Sequence, residues 1–284
     1  MTRPVPARTW FGSLLVVVSQ AATFAGLEPF HSWNTPIAWT GYILAVDGIV
    51  WKRRGSSWLA AARAEMFFLA FVSVPLWLVF EMYNKYAIHN WHYVGLPDSL
   101  ALRYFGFAWS FATIWPAVFE TGDLISSLRD RRAPPDRAKA PVRHRPGPLG
   151  WLSVAAGAAM LILPIVLPSP YLAAPVFLGF AFFLDPLNAW MGGESILGDL
   201  RAGHYGRLTN LLLSGFVCGI AWEFWNYWAG AKWVYSVPIL PGLRIFEMPI
   251  AGYAGFPAFA VECFTMYVTV RLSIWGAASR PVSI

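Results

Sequence analysis

Eight apolar segments follow one another along the chain, each close to the roughly 20 residues that a helix needs to cross about 30 Å of hydrocarbon. They lie near Trp10–Leu27, Ser32–Trp51, Met66–Asn84, Tyr104–Ile125, Pro148–Leu167, Tyr171–Met191, Leu208–Gly230 and Met248–Val270. Composition agrees: 13% of the residues are charged and 57% hydrophobic, where a soluble domain has about a quarter charged. The expected fold class is all-α, a polytopic membrane helix bundle of about eight transmembrane helices. The first segment reads as a retained span, because Ser19-Gln20-Ala21-Ala22 is a poor cleavage site and seven spans follow.

Basic residues set the expected orientation. When alternate connections are pooled, all 21 Lys and Arg except Lys85, Arg103, Lys232 and Arg244 fall on one side, which the positive-inside rule makes cytoplasmic. Both termini are then cytoplasmic. The net charge of +6 is a topology signal on this reading, and nucleic acid is not an expected partner. Residues 129–147 gather Arg129, Arg131, Arg132, Arg137, Lys139, Arg143 and Arg145 among Pro134, Pro135, Pro141 and Pro146. They read as a cytoplasmic linker between two membrane domains, 1–128 and 148–284, whose charge suits anionic lipid headgroups. The expected location is integral to a membrane, the bacterial cytoplasmic (inner) membrane, with membrane lipid as a partner.

The chain also repeats itself. At an offset of 142, Glu81 meets Glu223, Asn84 meets Asn226, Trp91 meets Trp233, Tyr93 meets Tyr235 and Glu120 meets Glu262. With small shifts, Asp47 and Gly55-Ser56-Ser57 resemble Asp185 and Gly193-Glu194-Ser195. Each half is thus four helices. An even number makes both halves enter the membrane in the same sense, as two parallel repeats about an axis along the membrane normal. The natural site is the seam between them.

A carboxylate in hydrocarbon costs at least about 2.5–3.5 kcal/mol, so each one kept there needs a partner, a cavity or a job. Glu81 and Asn84, like Glu223 and Asn226, are spaced i, i+3 and share a helix face. Glu120 and Glu262 lie deeper, each about a turn after a proline, Pro116 or Pro257. With no Lys or Arg in these stretches, at least one deep acid is expected to be neutral at pH 7 and able to donate a proton. The bland alternative is that all four acids hydrogen-bond across helices and fix packing. Asp47 and Asp185, at the cytoplasmic ends of their helices, read as interfacial pairs or loop caps, with Lys52 or Arg53 in reach of Asp47.

Aromatic residues crowd the same places. Trp222, Trp225, Trp233 and Tyr235 wind around the helix end that bears Glu223, and Trp91 and Tyr93 follow Glu81. Such faces stabilise a cation in a dry pocket, or simply pack the halves together. His89 and His92 have no counterpart in the second half, so no metal site shared by the repeats is expected. Cys218 and Cys263 have no ligand spacing. Serine-hydrolase, zinc-protease and P-loop patterns are missing, as is the acid-rich motif of prenyl-diphosphate enzymes.

In each half an aromatic–acid pair ends one helix, a Trp-x-Tyr loop follows, and a deep acid stands in the next helix. This constellation resembles the integral-membrane lycopene cyclase domain, whose tandem membrane repeats carry Trp-Asp, Trp-x-aromatic and Pro-x-Glu-Glu before Phe. Trp222-Glu223, Trp233-Val234-Tyr235 and Glu262-Cys263-Phe264 occupy those places in the second half, and Phe80-Glu81, Trp91-His92-Tyr93 and Glu120 in the first. There is no adjacent Glu-Glu, and Pro249 is far from Glu262.

The resemblance implies a redox-neutral isoprenoid cyclase or isomerase acting on a carotenoid or another hydrophobic isoprenoid, without metal or dissociable cofactor. Glu262 or Glu120 would protonate a double bond, and Glu81 or Glu223, oriented by Asn84 or Asn226, would take the leaving proton. Trp91, Tyr93, Trp222, Trp225, Trp233 and Tyr235 would bind substrate. Two alternatives remain open: a proton- or cation-coupled transporter with the acids as relay, and a structural membrane subunit with satisfied acids and no pocket.

Overall fold

The computed structural model describes residues 3–129 and 145–276. In chain order the elements are α1 (Ala7–Phe24), α2 (Asn34–Arg54), α3 (Trp58–Ala61), α4 (Arg63–Tyr83), β1 (Trp91–Val94), α5 (Leu100–Ala112), α6 (Ile114–Arg129), α7 (Pro148–Val166), α8 (Ala173–Met191), α9 (Ile196–Arg201), α10 (Gly206–Trp228), β2 (Lys232–Tyr235), β3 (Arg244–Ile245), β4 (Met248–Pro249) and α11 (Gly255–Trp275). The protein is therefore mostly helical, and all-α needs correcting only for two short antiparallel ladders, β1–β2 and β3–β4. Five helical stretches are long and apolar enough to cross a membrane: Arg63–Ile88, Pro148–Val166, Pro170–Met191, Gly206–Trp228 and Ile250–Trp275. Most of the linker expected at 129–147 lies outside the described residues.

Prolines stand near the places where helices depart from the apolar segments. Tyr104–Ile125 is two helices, broken at Thr113. Pro116 has no N–H for the Ala112 carbonyl and its ring crowds that oxygen, which favours a break or kink at this point. Ser73 of α4 patches the break: its hydroxyl donates to the Phe111 carbonyl and accepts the Trp115 N–H at 3.3 Å. In the second half Pro257 stands in the first turn of α11, where a missing N–H is free of cost. Residues 248–254 ahead of it form β4 and a 3₁₀ turn.

Two hairpins, α1–α2 and α7–α8, flank a centre made of α4, α5, α6, α10 and α11. Both hairpins pack at paired glycines. A Cβ on Gly41 would stand 2.7 Å from the Gly12 carbonyl oxygen, and one on Gly157 would stand 2.8 Å from that of Gly179. Only small residues permit this approach of backbones. Outward faces such as Trp10, Phe11 and Leu14 of α1, or Ile162, Ile165 and Val166 of α7, stay exposed.

Asp47 and Asp185 each hold the start of a short helix. Asp47 accepts the Leu59 N–H at 2.9 Å and pairs with Arg8 at 2.5 Å, a partner from α1 that its position beside Lys52 and Arg53 did not suggest. Asp185 accepts the Ile196 and Leu197 N–H groups at 2.6 and 2.9 Å and the Ser195 hydroxyl at 2.7 Å. A carboxylate there meets the positive end of the helix. At the same end of the bundle Arg271 and Glu194 form an ion pair exposed by only 2% and 1%.

The opposite end carries the β1–β2 ladder, whose register pairs Trp91 with Tyr235, His92 with Val234, Tyr93 with Trp233 and Val94 with Lys232. Asn84 and Asn226 build it. The Asn84 carboxamide donates to the Trp91 carbonyl at 2.7 Å and accepts the Asn90 and Trp91 N–H groups at 2.7 and 3.1 Å. Asn226 brackets Trp233 in the same way, at 2.8 and 2.9 Å. Each amide thus turns the chain from helix into strand by taking both polar groups of the peptide seven residues on.

Candidate functional site

Period-two alternation puts Trp91 and Tyr93 on one face of β1, and Trp233 and Tyr235 on the matching face of β2. Under that face, at the seam between the halves, lies a cavity of about 420 Å³. Trp91, Tyr93, Trp222, Trp233 and Tyr235, all expected to bind substrate, line it, and so do Trp77, Phe177 and Phe259. No Asp or Glu is among the lining residues.

The acids stand directly behind this wall. Oε1 of Glu81 accepts three bonds: from Tyr93 OH at 2.6 Å, Trp77 Nε1 at 2.8 Å and Trp91 Nε1 at 3.2 Å. All three donors line the cavity. Trp77 reaches Glu81 because the two are one helical turn apart, and Tyr93 and Trp91 reach it because the Asn84 clamp folds the strand back over the helix end.

Glu223 repeats the arrangement with one member missing. Tyr235 OH donates to its Oε1 at 2.8 Å and accepts the Trp233 Nε1–H at 2.7 Å, while Oε2 is buried without a partner. The residue matching Trp77, 142 positions on, is Gly219. A Cβ there would already collide with the Phe256 ring, so the volume that an indole fills in the first half is filled by Phe256 in the second. Glu81 thus accepts three side-chain bonds on one oxygen where Glu223 accepts one, and the second oxygen of Glu223 is the one buried without a partner among the described residues.

The deep acids are not on the wall. Glu262 is fully buried in α11, and its Oε1 accepts the Phe180 N–H of α8 at 2.9 Å, while Oε2 has no partner. Glu120 is fully buried in α6 with neither carboxyl oxygen hydrogen-bonded. Trp225 also turns away, packing edge-on against Trp39 with ring centroids 4.6 Å apart, and Trp39 instead lines the cavity. Asn84 and Asn226 do not orient the glutamates as expected, because both amides are spent on the backbone of Trp91 and Trp233. His89 is exposed in the turn before β1 and His92 is exposed on β1 itself, and no cluster of three or more His, Cys, Asp or Glu able to hold a metal occurs among the described residues.

Sequence reasoning missed Trp39, Phe177 and Phe259 as cavity residues. Trp77 carried a legible signal, one turn before Glu81, while these three meet the cavity only through packing between helices distant in sequence. No family model, curated protein or solved structure matches the chain.

Proposed function

We propose that the protein is a redox-neutral isoprenoid cyclase or isomerase, similar in type to the lycopene cyclases, resident in a bacterial cytoplasmic membrane. It would be built as eight spans in two parallel four-helix repeats, with both termini cytoplasmic. The ladder supports the repeat: Trp91 pairs with Tyr235 and its counterpart Trp233 pairs with Tyr93, the reciprocal exchange that a two-fold axis generates. The matched glycine hairpins and the two Asp-held short helices point the same way.

One observation carries the functional reading. An aromatic cavity without acids on its wall is joined, through its own phenols and indoles, to two glutamates of unequal hydrogen bonding. Glu223, with Oε2 unpartnered, serves as the acid. Its proton passes through the Tyr235 hydroxyl to a terminal C=C, and the π electrons form the new C–H bond. The carbocation is met by the faces of Trp77, Trp222 and Phe259. An internal double bond closes the ring, and the neighbouring C–H loses its proton to the Tyr93 hydroxyl and Glu81, so no oxidant or reductant is consumed. Placing the acid at Glu223, not at Glu120 or Glu262, follows from the wall. The cavity also weighs against a purely structural subunit, and its apolar lining against a polar transport path.

The test is expression in lycopene-accumulating cells. An active wild type and inactive Glu223→Gln and Glu81→Gln variants, with Glu120→Gln and Glu262→Gln retaining activity, are the expected result. Unchanged pigment in the first two variants refutes the roles of those acids.

A further inference from the structure

The sides of the cavity lined by the two halves, its two arms, are chemically unlike. The second half contributes aromatic rings and small apolar residues such as Ala173, Ala174 and Ala258, with Lys232 as its one charged lining residue. Lys232 is already neutralised by Glu247, at 2.5 Å. On the first-half side, helix α5 presents Arg103, Gly106 and Ser110 to the cavity at i, i+3 and i+7, which is one helix face.

Arg103 has no carboxylate partner among the described residues. Its Nε and Nη2 both donate to the Pro97 carbonyl, at 3.3 and 3.1 Å, and Nη1 has no acceptor among the described residues. One turn on, Gly106 leaves room for the Trp33 indole, whose Nε1 stands 3.3 Å from where a Cβ would be and has no acceptor among the described residues. Ring contacts with Phe105 and Trp109, at 5.3 and 6.2 Å between centroids, fix that indole in place. Arg and Trp side chains donate hydrogen bonds and accept none. A cavity arm offering two unspent donors, one of them charged, and lacking any acid is built for an acceptor that bears negative charge.

We propose that this arm is a subsite for the oxyanion end of a single-chain amphiphile, bound by Arg103 and the Trp33 indole N–H, with the apolar chain lying along the aromatic cavity toward Tyr93 and Tyr235. The inference rests on the isoprenoid reading above and adds acidic lipids to the hydrocarbon isoprenoids that the cavity takes. A prenyl phosphate and a fatty carboxylate share the required chemistry. The oxyanion serves as an anchor at one end while acid–base work proceeds at the other.

Binding of geranylgeranyl phosphate, geranylgeraniol and palmitate to the purified full chain, followed by quenching of tryptophan fluorescence, tests this without requiring turnover. A failure here is therefore distinct from a failure of the acid–base assignment, which is read from pigment. The wild type is expected to bind at least one of the two acidic lipids about tenfold or more tightly than the alcohol, a ratio worth about 1.4 kcal/mol. Whichever acid binds tighter identifies the source of the oxyanion. Arg103→Gln should abolish the preference while leaving the alcohol's affinity within about twofold, which also shows the variant to be folded. Arg103→Lys should restore part of it, as a point charge lacking the planar fork. Equal binding of acid and alcohol by the wild type overturns the proposal, as does a preference that survives Arg103→Gln, or competition by inorganic phosphate as effective as that of the prenyl phosphate.

Discussion

Tyr93 and Tyr235 occupy matched positions, yet replacing each by Phe should have very different costs. Tyr93→Phe removes one of the three donors on Glu81, leaving Trp77 and Trp91 in place, so the loss is that of a single hydrogen bond, about 0.5–1.5 kcal/mol. Tyr235→Phe removes the phenol that donates to Glu223 and the acceptor of the Trp233 indole together. Two buried groups are then unsatisfied, at about 1–3 kcal/mol each, for a total of about 2–6 kcal/mol. The low end applies where the freed Trp233 N–H turns onto Glu223. Reversible unfolding by SDS titration in mixed micelles, followed by circular dichroism, measures both. A double variant with Trp233→Phe should be less destabilised than the sum of its parts, because Trp233 and Tyr235 share one bond. If Tyr93→Phe costs as much as Tyr235→Phe, or if the double variant is additive, the asymmetry between the two glutamates is not real.

The buried Arg271–Glu194 pair gives a second test: Glu194→Gln should cost about 3–5 kcal/mol, and replacing both residues by apolar ones of similar volume should cost clearly less. Unfolding free energies of the three variants decide it. Burial, reinforced by Glu81 and Glu223 beside them, holds the Tyr93 and Tyr235 phenols well above their ordinary value of 10.0. In the unfolded chain they ionise near pH 10, so stability should be unaffected by these groups below about pH 10 and fall as pH rises above it. A decline of the same slope in a Tyr93→Phe/Tyr235→Phe variant, measured by unfolding across that range, would falsify the assignment.

Much of this architecture was legible in the sequence, for identifiable reasons. The 142-residue offset located both Glu–Asn pairs and both Trp-x-Tyr strands, because strand alternation and helix periodicity are local. Most of the apolar segments coincide with single helices, three of them with a proline inside. What local pattern did not reveal was the partner of each polar group. Asn84 lies one turn from Glu81 and seemed made to orient it, yet the peptide of Trp91 offers an amide both a donor and an acceptor, and two bonds outcompete one. The depth of Glu120 and Glu262 suggested chemistry, but the cavity is placed by the ladder at one end of the bundle and by rings from α4, α8 and α11. Pro116 marked a weak point in Tyr104–Ile125, but Pro75, Pro164 and Pro186 sit inside unbroken helices, so the break at Thr113 was not readable from proline alone. The compensating hydroxyl, Ser73, comes from another helix and was not legible either.

The β1–β2 ladder bears on how the proposed acid–base cycle would reset. If Glu223 gives and Glu81 takes, every turnover would leave one proton on the wrong side of the seam. The register sets Trp91 opposite Tyr235 and Tyr93 opposite Trp233 on a single face, so the two phenols are diagonal neighbours, about 7–8 Å apart at the backbone, each bonded to its own glutamate. Under the proposed mechanism the shortest way back for that proton would run past these two phenols, so the pairing of the strands would govern recovery of the site as well as its shape.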